Sequence, residues 1–241
     1  MLLSTHPIER RKPVKPRIKI ASAQSPAGTE LELFEHDGHH EIFAGGRPLM
    51  GSRMHHSEEE LARVALTKLE RQPQVLIGGL GIGFTLRATL DLLPKDGRAI
   101  QVELMQEIID WNRGILARHA DHPLDDPRTE LVCEDVVDTV QRYQGKLAAI
   151  LLDVDNGSTP IVEAKNSRLY TNRGLKALHR ALVPGGQLAI WAADREPDFL
   201  RRLGANGFDA HEHITYERPR GKGARHYIFM GRKAAAPRGR N

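Results

Sequence analysis

Val75-Leu76-Ile77-Gly78-Gly79-Leu80-Gly81-Ile82-Gly83 opens as a short apolar run and closes with glycines at 79, 81 and 83. The run reads as a buried strand. The helical spacing of Phe84, Leu86, Ala88, Leu90, Leu92 and Leu93 follows directly. Strand, glycine turn and helix form the first unit of a nucleotide-binding α/β domain. The glycines remove Cβ atoms so that backbone and ligand can approach closely. The helix beyond them offers unpaired N–H groups at its N-terminus. A glycine turn alone is weak, since any tight βα connection can carry one. The acid that follows strengthens it. Ile100-Gln101-Val102-Glu103 ends a second strand pattern, with Glu103 lying 20 residues beyond Gly83. Nucleoside-binding folds place a carboxylate for the ribose hydroxyls at that offset.

Outward from this unit, strand ends repeat the theme. Arg128 to Cys133 reads as a third strand and ends at Glu134-Asp135. Leu147 to Leu152 is continuously apolar, as a central parallel strand buried on both faces should be, and it runs into Asp153-Val154-Asp155-Asn156-Gly157. Ligands bind beyond the carboxyl ends of strands in open α/β sheets. Four strand ends thus aim glycine or acidic chemistry at one crevice. Each acid taken singly also reads as a helix N-cap.

Upstream, Ile18 to about Met54 alternates as β structure. Asp37-Gly38 is placed as the turn of a hairpin. His36, Asp37, His39, His40 and Glu41 cluster there, but alternation sends His39 and His40 to opposite faces, and no metal site is expected. Ser57 with Glu60 reads as a capping box opening a helix that runs to Arg71-Gln72-Pro73, with His55 and His56 as a solvated pair before it. Downstream, helices are expected near 105–118, 171–182 and 197–203. A tight turn is expected at Pro184-Gly185-Gly186, then a strand from Gln187 to Trp191. Gly157 to Leu169 reads as a loop over the site. Phe208 to Tyr216 and His226 to Met230 read as a closing antiparallel hairpin around a basic loop. Such a hairpin after the βα units departs from a dinucleotide-binding fold and favours a methyltransferase-type sheet.

The expected organisation is a basic disordered tail at 1–16, a small N-terminal β unit at 17–56, a Rossmann-like domain at 57–231 and a basic tail at 232–241. The 241 residues suit this. The formal net charge of +4 sits largely in the tails, and aromatics are only 5% of the chain. A basic face interleaved with aromatics, as nucleic-acid binding requires, is therefore not expected. No apolar run approaches the ~20 residues of a membrane span. After Met1-Leu2-Leu3 the chain turns polar and basic, so a cytoplasmic protein is expected. Cys133, the single cysteine, is expected to be a packed thiol.

These motifs resemble the spermidine synthase family, within the class I AdoMet-dependent methyltransferase fold. The resemblance covers roughly 18–231. It rests on VLIGGLGIGFTLR at 75–87, Val102-Glu103, Asp126-Pro127-Arg128 with Glu134-Asp135, ILLDVDNG at 150–157, and Leu169-Tyr170-Thr171 with Pro184-Gly185-Gly186. It implies an α/β, Rossmann-like sheet of parallel strands plus a C-terminal antiparallel hairpin, behind a small N-terminal β unit. It also implies an AdoMet-type donor. Gly79, Gly81 and Gly83 would let backbone approach it, Glu103 would take the ribose and Asp135 the adenine amino group. Asp153 would orient or deprotonate the nucleophile, with Asp155 and Asn156 lining the acceptor pocket. A homodimer would fit the family.

Three departures set the expected chemistry, one being that the family's Tyr-His-Glu of the polyamine site is not found around Ser57 to Glu59. The family's glycine motif carries an aspartate for the amine of decarboxylated AdoMet, where Ile82 stands here. Its catalytic loop carries a second aspartate, where Asn156 stands. Isoleucine accepts no hydrogen bond, and an amide holds an ammonium less strongly than a carboxylate. The expectation is therefore an AdoMet-dependent transferase moving a methyl group to a small-molecule acceptor. The alternatives are aminopropyl transfer from decarboxylated AdoMet, and nucleoside binding without catalysis.

Overall fold

A computed structural model describes residues 15–67, 69, 71–154 and 168–235. It contains two sheets. The first is an antiparallel meander, with β1 (Ile18–Gln24), β2 (Glu30–His36), β3 (His39–Ala44) and β4 (Arg47–Gly51) in sequence order. The β2–β3 turn is Asp37-Gly38, both at positive φ, 54° and 81°. Two consecutive positive φ values define the type I′ geometry that suits a two-residue hairpin. Leu31, Leu33 and Ile42 are buried on one face of this sheet.

The second sheet has seven strands: β5 (Gln74–Gly78), β6 (Arg98–Glu103), β7 (Thr129–Cys133), β8 (Leu147–Leu152), β9 (Leu182–Ala192), β10 (Phe208–Arg218) and β11 (Lys222–Lys233). Their spatial order is β10-β11-β9-β8-β5-β6-β7. The pairs from β7 to β9 are parallel. β11 inserts antiparallel between β9 and β10. Chain order reverses between β5 and β8, so the crevice at their carboxyl ends is the topological switch point where α/β sheets bind ligands. The helices are α1 (His56–Ala65), α2 (Phe84–Leu92), α3 (Gln106–Arg113), α4 (Val136–Thr139), α5 (Asn172–Ala181) and α6 (Pro197–Ala205). They leave Leu76, Ile77, Ile100 and Leu147 to Leu152 covered on both sides, apart from the partly exposed Ala148. The continuous apolar runs anticipate that burial. Among the described residues no helix is long and apolar enough to cross a membrane.

Several local expectations give way. α1 begins at His56 with His55 at the cap position and no side-chain cap bond. Ser57 therefore lies inside the helix and does not cap it. Its hydroxyl donates to Glu58 Oε2 at 2.6 Å, while Glu60 accepts from Arg63 and lies 2.9 Å from His213 Nε2 of β10. Tertiary partners have claimed the capping-box acid. The helix also stops at Ala65, short of Arg71. His55 is half-buried and engaged: its ring stacks on Phe84 with centroids 4.1 Å apart, and Nδ1 lies 2.7 Å from Glu59 Oε1. Cys133 is exposed because it ends β7, the edge strand. Pro184-Gly185-Gly186 is a bulge within β9. Leu147 pairs with Leu182, yet two residues later Ala149 pairs with Gln187, so the extra residues loop out. α3 is shorter than the 105–118 expectation, and a 3-10 turn over Ala117–Ala120 follows it.

Candidate active site

The glycine turn is held from all sides by backbone and amide contacts. Gly79 N–H donates to the Val102 carbonyl at 2.9 Å, and Asp153 N–H to the Gly78 carbonyl at 2.8 Å. Gln101 Nε2 donates to the Gly79 carbonyl and Asn112 Nδ2 to the Gly81 carbonyl, both at 2.8 Å. The glycines make room chiefly for the protein itself. A Cβ on Gly79 (φ +86°) would land on the Asp153 carbonyl oxygen, and one on Gly81 would meet Met50 Sδ at 2.7 Å. The turn thus lets β5 and β8 close at their ends and lets β4 lie across the crevice. Gly83 supplies the left-handed residue that precedes α2.

Glu103 is committed to this turn. Its Oε2 accepts from Leu80 N–H and its Oε1 from Met105 N–H, each at 2.9 Å. A carboxylate fixed at both oxygens presents its remaining lone pairs in one direction. Asp135 caps α4 by accepting from Val137 N–H at 2.8 Å, and its other oxygen lies 3.9 Å from Arg168 Nη1. Glu103 and Asp135 line one pocket of about 750 Å³ together with Gly79, Gly81 and Asp153. Its apolar walls come from both sheets: Leu31, Ile42 and Leu49 from the first, Leu104, Met105 and Ile108 from beside the second. An apolar pocket with carboxylates at the strand ends suits a purine nucleoside.

Asp153 also borders a second pocket of about 1190 Å³. This one is acidic. Glu41, Glu58, Asp153 and Glu217 line it, with Ile82, Phe84, Trp191 and His226. Thr85 Oγ1 donates to Asp153 Oδ2 at 2.6 Å. Withdrawal from water raises the Asp153 carboxyl above its usual range, against that hydrogen bond. Burial, and then the charge of Asp153, push Glu58 up to about 8. Trp191 and His226, which also line this pocket, pack with ring centroids 4.8 Å apart. Sequence reading missed Glu58, Trp191 and His226.

The structure therefore brings Gly79, Gly81, Glu103, Asp135 and Asp153 to one cleft. Gly83 lies behind it, its Cβ position 3.1 Å from Pro123 and 3.2 Å from Asn112. Asp155, Asn156 and the loop expected from Gly157 lie outside the described residues, apart from the segment's end at Leu169. Among the described residues no group of three or more His, Cys, Asp or Glu is placed for a metal. Within the histidine cluster, His40 is buried, with Nδ1 2.7 Å from His119 Nε2.

Comparison with known proteins agrees with this geometry. The spermine/spermidine synthase domain matches residues 54–196. Polyamine aminopropyltransferase 2 of Pseudomonas aeruginosa is 32% identical over 136 residues, which cover 55% of this chain and 37% of that protein. A polyamine aminopropyltransferase of Saccharolobus islandicus is 30% identical over 139 residues, 57% of this chain and 45% of that protein. The chain thus spans less than half the length of these curated relatives. The spermidine synthase of Thermotoga maritima superposes with a TM-score of 0.71 at 22% identity, covering 91% of this chain and 74% of its own. That likeness confirms the Rossmann-like fold with its N-terminal antiparallel sheet. The expectation of methyl transfer is overturned here: the matching family and the named relatives are aminopropyltransferases. Ile82 and Asn156 do not outweigh these matches, because other carboxylates, Glu41, Glu58 and Glu217, also line the acidic pocket. By the match across its central residues, the chain belongs to the spermine/spermidine synthase domain family.

Proposed function

We propose that this protein transfers the aminopropyl group of decarboxylated AdoMet to an amine of a diamine or polyamine. The observation that carries this reading is the acidic pocket beside the nucleoside slot. Four carboxylates line it and, among the described residues, no lysine or arginine does. Arg17 neutralises Glu41 at 2.9 Å. Glu58, Asp153 and Glu217 have no ion-pair partner among the described residues. Uncompensated carboxylates away from bulk water are costly, and a ligand carrying ammonium groups removes that cost. A neutral or anionic acceptor would not.

The roles follow from position. The apolar slot takes the adenosine, with Glu103 at the ribose and Asp135 at the adenine edge. The aminopropyl donor reaches past the glycine turn, where Ile82 offers no charge, toward the carboxylates of the second pocket. Asp153 borders both pockets and so sits where donor carbon and acceptor nitrogen meet. Holding the two reactants in line supplies most of the acceleration. A base is needed because alkylamines arrive protonated.

Thermal stabilisation tests the donor side. A ligand at a hundredfold over its dissociation constant adds about 2.7 kcal/mol, worth roughly 5–11 °C in a chain of this size. Decarboxylated AdoMet should stabilise the protein more than AdoMet, whose extra carboxylate would enter an acidic pocket. The reverse preference would overturn the reading.

A further inference from the structure

We infer that Glu58 and Asp153 work as one carboxylate pair that holds a single proton in the free enzyme and gives it up when the acceptor amine binds. This rests on the aminopropyl-transfer reading above and assigns Glu58 a catalytic role in it. Glu58 comes from α1 and Asp153 from the end of β8, and both line the acceptor pocket. Each has a single hydroxyl partner, Ser57 Oγ for Glu58 and Thr85 Oγ1 for Asp153, both at 2.6 Å. Neither has a cation partner among the described residues. Two such groups in one recess do not both ionise readily, and they titrate as a pair. The upward displacement of both carboxyls agrees with this. The other titratable groups facing the pocket are Glu41 with its Arg17 partner, Glu217, which accepts from Ala224 N–H at 3.0 Å, and His226. Glu59 adds negative charge from the same helix. None of these supplies a compensating cation at the pair. Among the other lining residues, Trp191 Nε1 and His226 Nδ1 are buried without hydrogen-bond partners, polar atoms that a ligand in this recess would satisfy.

The chemistry balances. Before attack, one proton leaves the alkylammonium and goes to the carboxylate pair. The freed nitrogen lone pair forms the N–C bond to the aminopropyl carbon. The C–S bond breaks, its electron pair stays on sulfur, and the sulfonium becomes the neutral thioether methylthioadenosine. The product nitrogen carries the positive charge away. The pair keeps that proton and is back in its free-enzyme state, so the one proton set free per turnover is the one released when the amine bound.

Calorimetry with 1,4-diaminobutane tests the inference. The titration is run over saturating methylthioadenosine at about pH 7, in two buffers of different ionisation enthalpy. The wild-type protein should release close to one proton per diamine bound, falling toward none by about pH 9.5, where the pair is already ionised. Glu58→Gln should lose that release while still binding methylthioadenosine, which shows that it is folded. Glu58→Asp should keep it. Equal release in Glu58→Gln would show that the proton is the amine's own, and would overturn the pair. So would diamine binding to wild type with no release. Failure of wild type to bind diamine, with methylthioadenosine bound, would instead strike the aminopropyl reading itself.

Discussion

Gly79→Ala is the substitution whose cost the structure defines most closely. The residue sits at φ +86°, which costs a side-chain-bearing residue about 1–2 kcal/mol. The new methyl would also overlap the Asp153 carbonyl oxygen, 3.0 Å from its carbon and 3.2 Å from Val154 Cγ1. That carbonyl has little freedom to retreat, since Asp153 N–H is bonded to Gly78 at 2.8 Å and Gly79 N–H to Val102 at 2.9 Å. Overpacking of this kind costs a further 1–3 kcal/mol or so. The combined loss of roughly 2–5 kcal/mol should lower the melting temperature by about 4–20 °C. Gly145→Ala is the control. It has a positive φ of +62° but nothing within 4 Å of its Cβ position, so only the conformational cost applies. Both variants are compared by thermal and urea unfolding, with donor binding measured alongside. Gly79→Ala should be clearly the less stable and should lose donor affinity, because the Asp153 backbone is pushed out of place. Equal stability of the two would refute the claim that this glycine exists for the β5–β8 closure.

Other perturbations probe the remaining parts. Glu103→Gln turns an amide NH₂ toward Leu80 N–H or Met105 N–H, leaving a donor unsatisfied at about 1–3 kcal/mol. Methylthioadenosine affinity by calorimetry should fall roughly 10- to 100-fold, and an unchanged affinity would remove Glu103 from the site. Thr85→Val deletes the hydroxyl that stabilises ionised Asp153. The acid limb of kcat/KM should move to higher pH, while a simple drop in rate with no shift would contradict the assignment. Burial lowers His119 to about 4, from an unfolded value near 6.5. Its folded value is depressed, so its contribution is complete above pH 6.5 and is lost as pH falls toward 4, where the unfolded chain takes up the proton first. His119→Gln should therefore lose less stability than wild type between those values in denaturant titrations, and parallel curves would refute this.

How much of this was legible depended on how local the cause was. Gly79, Glu103 and Asp153 announce themselves because strand-end chemistry follows directly from a strand pattern, and parallel pairing then brings successive strand ends together. Glu58 did not. Its surroundings spell a capping box, and only the packing of α1 against β8 and β10 turns it toward Asp153 while His213 takes Glu60. Trp191 and His226 meet because β11 inserts antiparallel beside β9, a pairing between positions 35 residues apart that no spacing rule reports. Cys133 was misplaced for the opposite reason. An apolar neighbourhood in sequence says nothing of whether a strand lies at the sheet edge. The methyl-transfer expectation fails because it rests on single positions, Ile82 and Asn156, whereas the charge of a pocket is the sum over every element that lines it.

In the proposed reaction a nucleoside slot and an acidic amine pocket meet at Asp153 for aminopropyl transfer. The direct measurement is incubation with decarboxylated AdoMet and a panel of diamines and polyamines, followed by mass spectrometry. The expected result is an amine heavier by one aminopropyl group, methylthioadenosine in equal amount, and loss of both in Asp153→Asn. Nucleoside binding with no amine modified by any panel member would contradict it.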